Sequence, residues 1–335
     1  MKNKQDIRRI ASVFAISGAL LLFSVILGIA FGSVRLSFTE VISGLFGSGE
    51  STQKIIVSSL RLPRVLGAAL AGASLAVAGL VLQCVTGNSL CAPNIVGINS
   101  GAGFAVMLVL CFAPSLYAFL PLGAFLGALA ATLTISAIAR LASRRSVTLV
   151  LAGVAVSSIL NAAISFLSLR FPDMLPSYTA FSVGGFSGTE LDSLVFPFII
   201  ILCCFAACQL LSQKLNLLSL GDDVAASLGV NVGLLRTLTL ILASAICGAA
   251  VSFAGLLGFV GLIVPHAVRR LVGNDMRINL SLSAILGATL VILSDLCGRT
   301  LFSPSELPAG IITALIGAPF FLYLLCRRRG GIDKA

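Results

Sequence analysis

Charge is missing from this chain over long distances. No Asp, Glu, Lys or Arg occurs between Arg64 and Arg140. Other gaps run from Arg9 to Arg35, Arg145 to Arg170, Asp192 to Lys214, Arg236 to Arg269, Arg277 to Asp295 and Glu306 to Arg327. A helix needs about 20 apolar residues to cross a hydrocarbon core. Each gap therefore has room for a span, and the longest has room for three. With 58 % hydrophobic and 10 % charged residues, the chain reads as a membrane protein rather than a soluble domain.

Ten spans are expected, at roughly 10–32, 61–84, 94–112, 118–139, 147–169, 193–211, 235–254, 257–272, 279–297 and 307–326. The net charge of +10 is explained by lysines and arginines gathered in cytoplasmic loops, so no nucleic-acid partner is needed. With the N-terminus inside, sixteen of the 22 basic residues fall on the cytoplasmic side and six outside, the six being Arg35, Lys54, Arg61, Arg64, Arg170 and Arg299. The fold class is thus an all-α polytopic membrane protein of about ten transmembrane helices with both termini cytoplasmic. Residues 1–335 form a single transmembrane domain. The basic N-terminus resembles a signal peptide, but its apolar run is too long and lacks a small-residue cleavage site, so it is read as a retained span.

Little in the sequence suggests chemistry. The nine cysteines form no C-x-x-C pair and show no Cys/His spacing of a zinc site; they read as small packing residues and hold no metal. None of the five lysines follows G-x-x-x-x-G, so a phosphate-binding loop is lacking. There is no H-E-x-x-H or G-x-S-x-G, and no catalytic residue is assigned. An ion-coupled secondary transporter would need an ionisable group deep in the membrane. His266, the lone histidine, is the nearest candidate, although a hydrogen-bonded residue near a helix end explains it better. Asp295 and Arg299 sit four apart at the outer end of the ninth span and can pair, with Glu306 nearby.

Helices in lipid associate through small residues. Ala68, Gly72 and Ala76 supply such a face in the second span, Gly123, Gly127 and Ala131 in the fourth, and glycines 248, 255, 258 and 261 around the eighth. Two segments do not read as simple spans: Gln83–Gly103, with Gly87, Asn88, Pro93, Gly97 and Asn99, and Gly255–Asp275, with Pro265 and His266. Broken backbone at membrane depth survives where protein or a water-filled cavity satisfies it. It marks either a translocation path or a packing kink.

One polar insert stands between two apolar runs, "LSLGDDVAASLGVNVGLLRT" from Leu218 to Thr237. Asp222 can cap a helix and Asp223 favours its first turn. Val224, Ala225 and Leu228 recur at helical spacing, Gly229 provides a left-handed stop, and Asn231 can cap a second short helix before Arg236. Taken alone, the insert is either a docking knob for a soluble partner or an interhelical loop lying on the membrane.

From about Arg61 to Tyr323 the chain resembles the permease subunits of ATP-binding-cassette importers for iron–siderophores, haem and cobalamin. The resemblance is carried by "RLPRVLGAALAGASLAVAGLVLQ" (61–83), "GNSLCAPNIVGINSGAG" (87–103), "LAGVAVSSIL" (151–160), "GDDVAASLGV" (221–230), "GFVGLIVPHAVRRLVGND" (258–275), "GRTLF" (298–302) and "ELPAGIITALIGAPFFLYLL" (306–325). It implies a transport subunit that is not itself an enzyme. ATP-Mg would be held by a partner ATPase, with no cofactor on this chain. Expected partners are that ATPase subunit, a second permease (a homodimer mate or a paralogue), an extracytoplasmic substrate-binding protein and membrane lipid. The cargo would be an iron–siderophore, haem or cobalamin, carried across the bacterial cytoplasmic membrane. By resemblance, residues 218–236 form the ATPase-coupling segment, through Leu218, Gly221, Asp222, Asp223, Val224, Leu228, Gly229 and Arg236. Arg61, Arg64 and Arg299 would dock the binding protein. Asn88, Leu90, Pro93, Gly97, Ser146 and Val147 would form a gate or path. The chain departs from the family pattern where Ser89 replaces a proline, where Ala92 replaces an acidic residue, and in having no tryptophan.

Overall fold

The computed structural model describes residues 4–32, 34, 36–45, 51–94, 97–142, 146–301 and 305–329. All regular elements among them are helical. They are α1 (Lys4–Ala30), α2 (Phe38–Leu45), α3 (Ser51–Lys54), α4 (Leu62–Thr86), α5 (Ile98–Phe112), α6 (Leu120–Ala142), α7 (Ser146–Arg170), α8 (Leu175–Val183), α9 (Leu191–Leu210), α10 (Ser212–Leu218), α11 (Asp222–Ser227), α12 (Val232–Ala254), α13 (Val260–Val272), α14 (Met276–Thr300) and α15 (Ala309–Arg329). A π-helical stretch, Ile55–Arg61, joins α3 to α4. Seven helices among the described residues are long and apolar enough to cross a membrane, and Ile98–Phe112 and Ala309–Tyr323 are shorter apolar helices. Every segment expected to span coincides with a helix. The short helices α2, α3, α8 and α10 lie outside the expected spans. A signal for α2 was nevertheless present: Ser37 and Glu40 form a capping box, with the Ser37 amide and hydroxyl donating to the Glu40 carboxylate at 2.6 and 2.7 Å. Those donors, the hydroxyl first, hold the Glu40 carboxyl below its usual range.

The small residues act as expected. α4 runs through the middle of the molecule, with Ala68, Ala71, Ala76 and Ala78 fully buried, and it packs on α14, α12 and α13. At its closest approach to α14, a Cβ on Gly72 would lie 2.2 Å from the Gly287 carbonyl oxygen. Gly79 meets Gly261 of α13 equally closely, and Gly101 of α5 meets Gly127 of α6. No side chain fits at these crossings, so backbone packs on backbone. That gives the van der Waals contact that must replace the hydrophobic effect in lipid.

Both irregular segments are broken, but not everywhere expected. α4 ends at Gly87 (φ 61°) and α5 begins after Gly97 (φ 82°). The second break lies at Gly255–Phe259, ahead of α13, whereas Pro265 sits inside a continuous helix. Because Pro265 falls in the second turn of α13, near its N-terminus, few intrahelical bonds are lost. Phe259 is the non-glycine residue with positive φ (64°) among the described residues. Its ring is wedged against α15 where Gly317 leaves room. His266 packs edge-on to Phe320, with ring centroids 5.9 Å apart.

Candidate functional site

The polar insert folds from the inside outward. α10 is anchored by Leu215 and Leu218, both buried. Leu218 is therefore a root of the segment rather than part of its surface. The chain turns at Gly221, whose φ of 115° is outside the reach of most side chains. Gly221, and not Asp222, occupies the N-cap position of α11. Asp222 is instead the first helical residue, and its carboxylate accepts from Arg236 of α12 at 2.9 Å. α11 then closes in a Schellman motif. Gly229 (φ 81°) donates to the Ala226 carbonyl and Val230 to the Ala225 carbonyl, each at 3.0 Å. Asn231 caps the next helix through its side-chain oxygen, which accepts from the Leu234 amide at 3.1 Å. There is no second short helix. That turn is the start of α12, which runs unbroken to Ala254 because no stop signal follows Asn231.

The face expected from Val224, Ala225 and Leu228 is divided. Ala225 is fully buried, while Val224 and Leu228, four residues apart, are 43 % and 58 % exposed. Leu220 and Leu234 are exposed beside them, although sequence spacing alone did not attach them to the patch. Asp223 is exposed on the same segment. Behind α11 lies a cavity of about 580 Å³, lined among others by Val85, Ser136, Leu149, Asp222, Asp223 and Arg236. The result is a short helix pinned at both ends, with its apolar side chains offered to the surroundings and space behind it.

At the opposite end of α4 and α14 the three expected docking arginines share one recess of about 290 Å³, which Glu306 also lines. They are not equivalent. Arg64 grips Asp295 through Nε and Nη2 at 2.9–3.1 Å and reaches Glu306 through Nη1 at 2.7 Å. Arg299 is 2 % exposed. It lies 3.5 Å from Asp295, the pair expected from their spacing, and also donates to the Gly28 carbonyl. Arg61 is 5 % exposed and donates to the carbonyls of Ile29 (2.9 Å), Ala30 (2.7 Å) and Val34. Arg61 and Arg299 therefore satisfy the unpaired carbonyls at the C-terminal end of α1. Arg64, which retains 13 % of its side-chain surface, is the one of the three that pairs with the more open Glu306 as well as with Asp295. Among the described residues, three arginines face two carboxylates, Asp295 and Glu306, one positive charge in excess. The Arg64–Asp295 and Arg64–Glu306 pairings link residues more than 200 positions apart, so no local pattern could have shown them.

Four of the expected gate residues, Asn88, Leu90, Pro93 and Gly97, lie in the first break. The Asn88 side chain accepts from the Leu90 amide at 3.0 Å, closing a local turn. Pro93 is buried next to Gly261. Gly97 is buried against α6 and α7, where a Cβ would lie 2.6 Å from Ile135 and 3.0 Å from the Ser157 hydroxyl. Ser146 and Val147 begin α7, but their side chains lie outside the described residues. On the same side, Gln83 ties α13 to α4. Its Nε2 donates to the Gly261 carbonyl at 3.1 Å, and its Oε1 accepts from Arg269 at 2.6 Å.

Known proteins match over nearly the whole chain. It is 37 % identical to the Fe(3+)-citrate import system permease of Bacillus subtilis, covering 96 % of this chain and 97 % of the relative. It is 40 % identical to the achromobactin transport system permease of Dickeya dadantii, over 96 % and 93 %. To the hemin transport system permease of Yersinia pestis it is 36 % identical, over 93 % and 95 %. A metal-chelate type ABC transporter solved in an inward-facing conformation superposes with a TM-score of 0.83 at 32 % identity, over 95 % of this chain and 99 % of that one. The FecCD transport family model matches residues 20–327, and the chain belongs to that family of transport permeases.

Proposed function

We propose that this chain is the permease subunit of an ATP-binding-cassette importer that moves a ferric chelate inward. The relatives named for Fe(3+)-citrate, achromobactin and hemin support that cargo class, with an iron–siderophore favoured over haem or cobalamin. The bundle spans the bacterial cytoplasmic membrane ten times with both termini inside, counting the seven long helices, the two shorter apolar ones and α13. A separate ATPase subunit binds and hydrolyses Mg-ATP. An extracytoplasmic binding protein delivers the chelate to the outer recess, and a second permease, a copy or a paralogue, completes the path. This chain binds no cofactor and does no chemistry.

The observation that carries the reading is α11. A few buried anchors dominate an interface, and Val224 and Leu228 are apolar anchors presented on a helix that its own caps and the Asp222–Arg236 pair hold still. When ATP binding draws two ATPase subunits together, the docked segment moves with them. The bundle then switches between outward- and inward-facing states, because the partner binds those states unequally. The test is co-purification from the native membrane. The wild-type chain should bring down an ATPase subunit, and Leu228→Asp should lose it while His266→Ala retains it. An ATPase that stays bound to Leu228→Asp, or its absence from wild type, would sink this reading.

A further inference from the structure

The cytoplasmic end of α14 is held by side chains from just ahead of the coupling segment. Asn216 of α10 donates from Nδ2 to the Asp275 carboxylate at 3.0 Å and accepts the Met276 amide on its oxygen at 2.7 Å. Asp275 caps α14 by itself, accepting from the Arg277 amide at 3.1 Å. Gln209 of α9 adds bonds to the Arg277 carbonyl and the Ser281 hydroxyl, at 3.0 and 3.1 Å. Water could serve the Met276 amide at a helix N-terminus equally well. What Asn216 adds is a connection between two elements.

Each side of that connection leads somewhere. From Asn216, the buried Leu218 and the turn at Gly221 run directly into α11. From Asp275, α14 continues without a break to Asp295, a distance of about 30 Å at a rise of about 1.5 Å per residue, which is the thickness of the hydrocarbon core. Midway, its backbone rests on α4 at Gly72 and Gly287, which stiffens it. At the far end Asp295 is gripped by Arg64 and Arg299, and Arg64 in turn holds Glu306 ahead of α15.

We propose that the Asn216–Asp275 pair is a positioning link that passes displacement of the coupling segment to α14, which carries it as a rod to the outer arginine cluster. The proposal rests on the ATPase-driven reading above. The two bonds of Asn216 fix both the distance and the rotation of α10 relative to the first turn of α14. A shift of α10 must therefore move α14 or break them.

The test uses the whole complex, co-purified with its ATPase and placed in lipid nanodiscs. A Ser305→Cys reporter beside Glu306, at an exposed position, is built on a chain whose exposed Cys203 and Cys326 are replaced by serine. It is labelled with a charged, membrane-impermeant maleimide with and without Mg-ATP and vanadate, the modified peptide being read by mass spectrometry. In the reporter parent, nucleotide should change the labelling rate. Asn216→Ala should lose that change while ATP hydrolysis continues. Exchanging the pair, Asn216→Asp with Asp275→Asn, keeps a donor and acceptor on facing side chains and should restore it. An Asn216→Ala complex that responds like its parent overturns the link, as does a hydrolysing exchanged complex that stays unresponsive. A parent whose labelling ignores nucleotide overturns the rod. A preparation without any ATPase overturns the functional reading itself and, with it, the link.

Discussion

Asp295 holds two guanidiniums that have almost no water to fall back on. It is 1 % exposed and sits between Arg64 and Arg299. Removing one partner of such a buried pair leaves charge uncompensated, at a cost of about 3–5 kcal/mol. Asp295→Asn should therefore lower the thermal unfolding midpoint of the purified protein strongly, and high salt should not mimic the effect, since buried pairs are poorly screened. Asp222 and Arg236 make an ion pair of the same length, but the Asp222 side chain is 50 % exposed. Asp222→Asn should cost no more than about 1 kcal/mol in the same measurement, and salt should erase the difference. Of these contacts, the spacing of Asp295 and Arg299 was legible in the sequence. The grip of Arg64 on Asp295 was not, because it joins α4 to α14 across 231 positions. Burial follows the same long-range logic: Arg61 and Arg299 are 5 % and 2 % exposed because α1 lies beside them and takes up their donors.

At the scale of elements, the crossing of α4 and α14 is set by what is missing from Gly72 and Gly287. A methyl at Gly72 would meet the facing carbonyl at 2.2 Å, and that carbonyl belongs to rigid backbone. Gly72→Ala should destabilise by about 1–3 kcal/mol through overpacking. Gly18→Ala on α1, with nothing within 4 Å, should be neutral or stabilising by up to about 1 kcal/mol. Thermal unfolding of both variants in one detergent separates the two. α13 depends on a different tie. Its 13 residues reach only about 20 Å, so it needs lateral support, which Gln83 supplies at both ends. Gln83→Leu would strand the Gly261 carbonyl and the Arg269 guanidinium, costing about 1–3 kcal/mol, and should increase proteolysis near Gly255–Phe259. The small-residue stripes pointed to tight crossings but did not name the partner of each, since many faces could pack on any one glycine. The sequence marked Gly255–Asp275 as irregular without fixing where it breaks; the break falls at its start, where Phe259 takes a positive φ with its ring against Gly317.

For the whole molecule, the charge asymmetry predicts both termini in the cytoplasm. A green fluorescent protein fused to the C-terminus should fluoresce, and alkaline phosphatase fused at the same place should be inactive; the reverse result would overturn the ten-span orientation. The positions of the long apolar helices could be read from sequence because a bilayer imposes one simple rule, that backbone must be paired internally and wrapped in apolar side chains for about 30 Å. That rule acts locally and leaves its mark on every span. Parts of the polar insert were legible for a related reason, the stop at Gly229 and the cap at Asn231, since caps and left-handed stops are short-range chemistry, whereas the N-cap at Gly221 and the merging of the second turn into α12 were not. Assignments such as which arginine faces a neighbour and which faces water, or that Leu218 is a root while Leu228 is a tip, follow from long-range contacts. So does the tie of Asn216 to the start of α14. Only the folded chain decides these, because the energy of a buried charge or a helix crossing depends on what lies opposite it, and the residue opposite is set by the packing of the entire bundle.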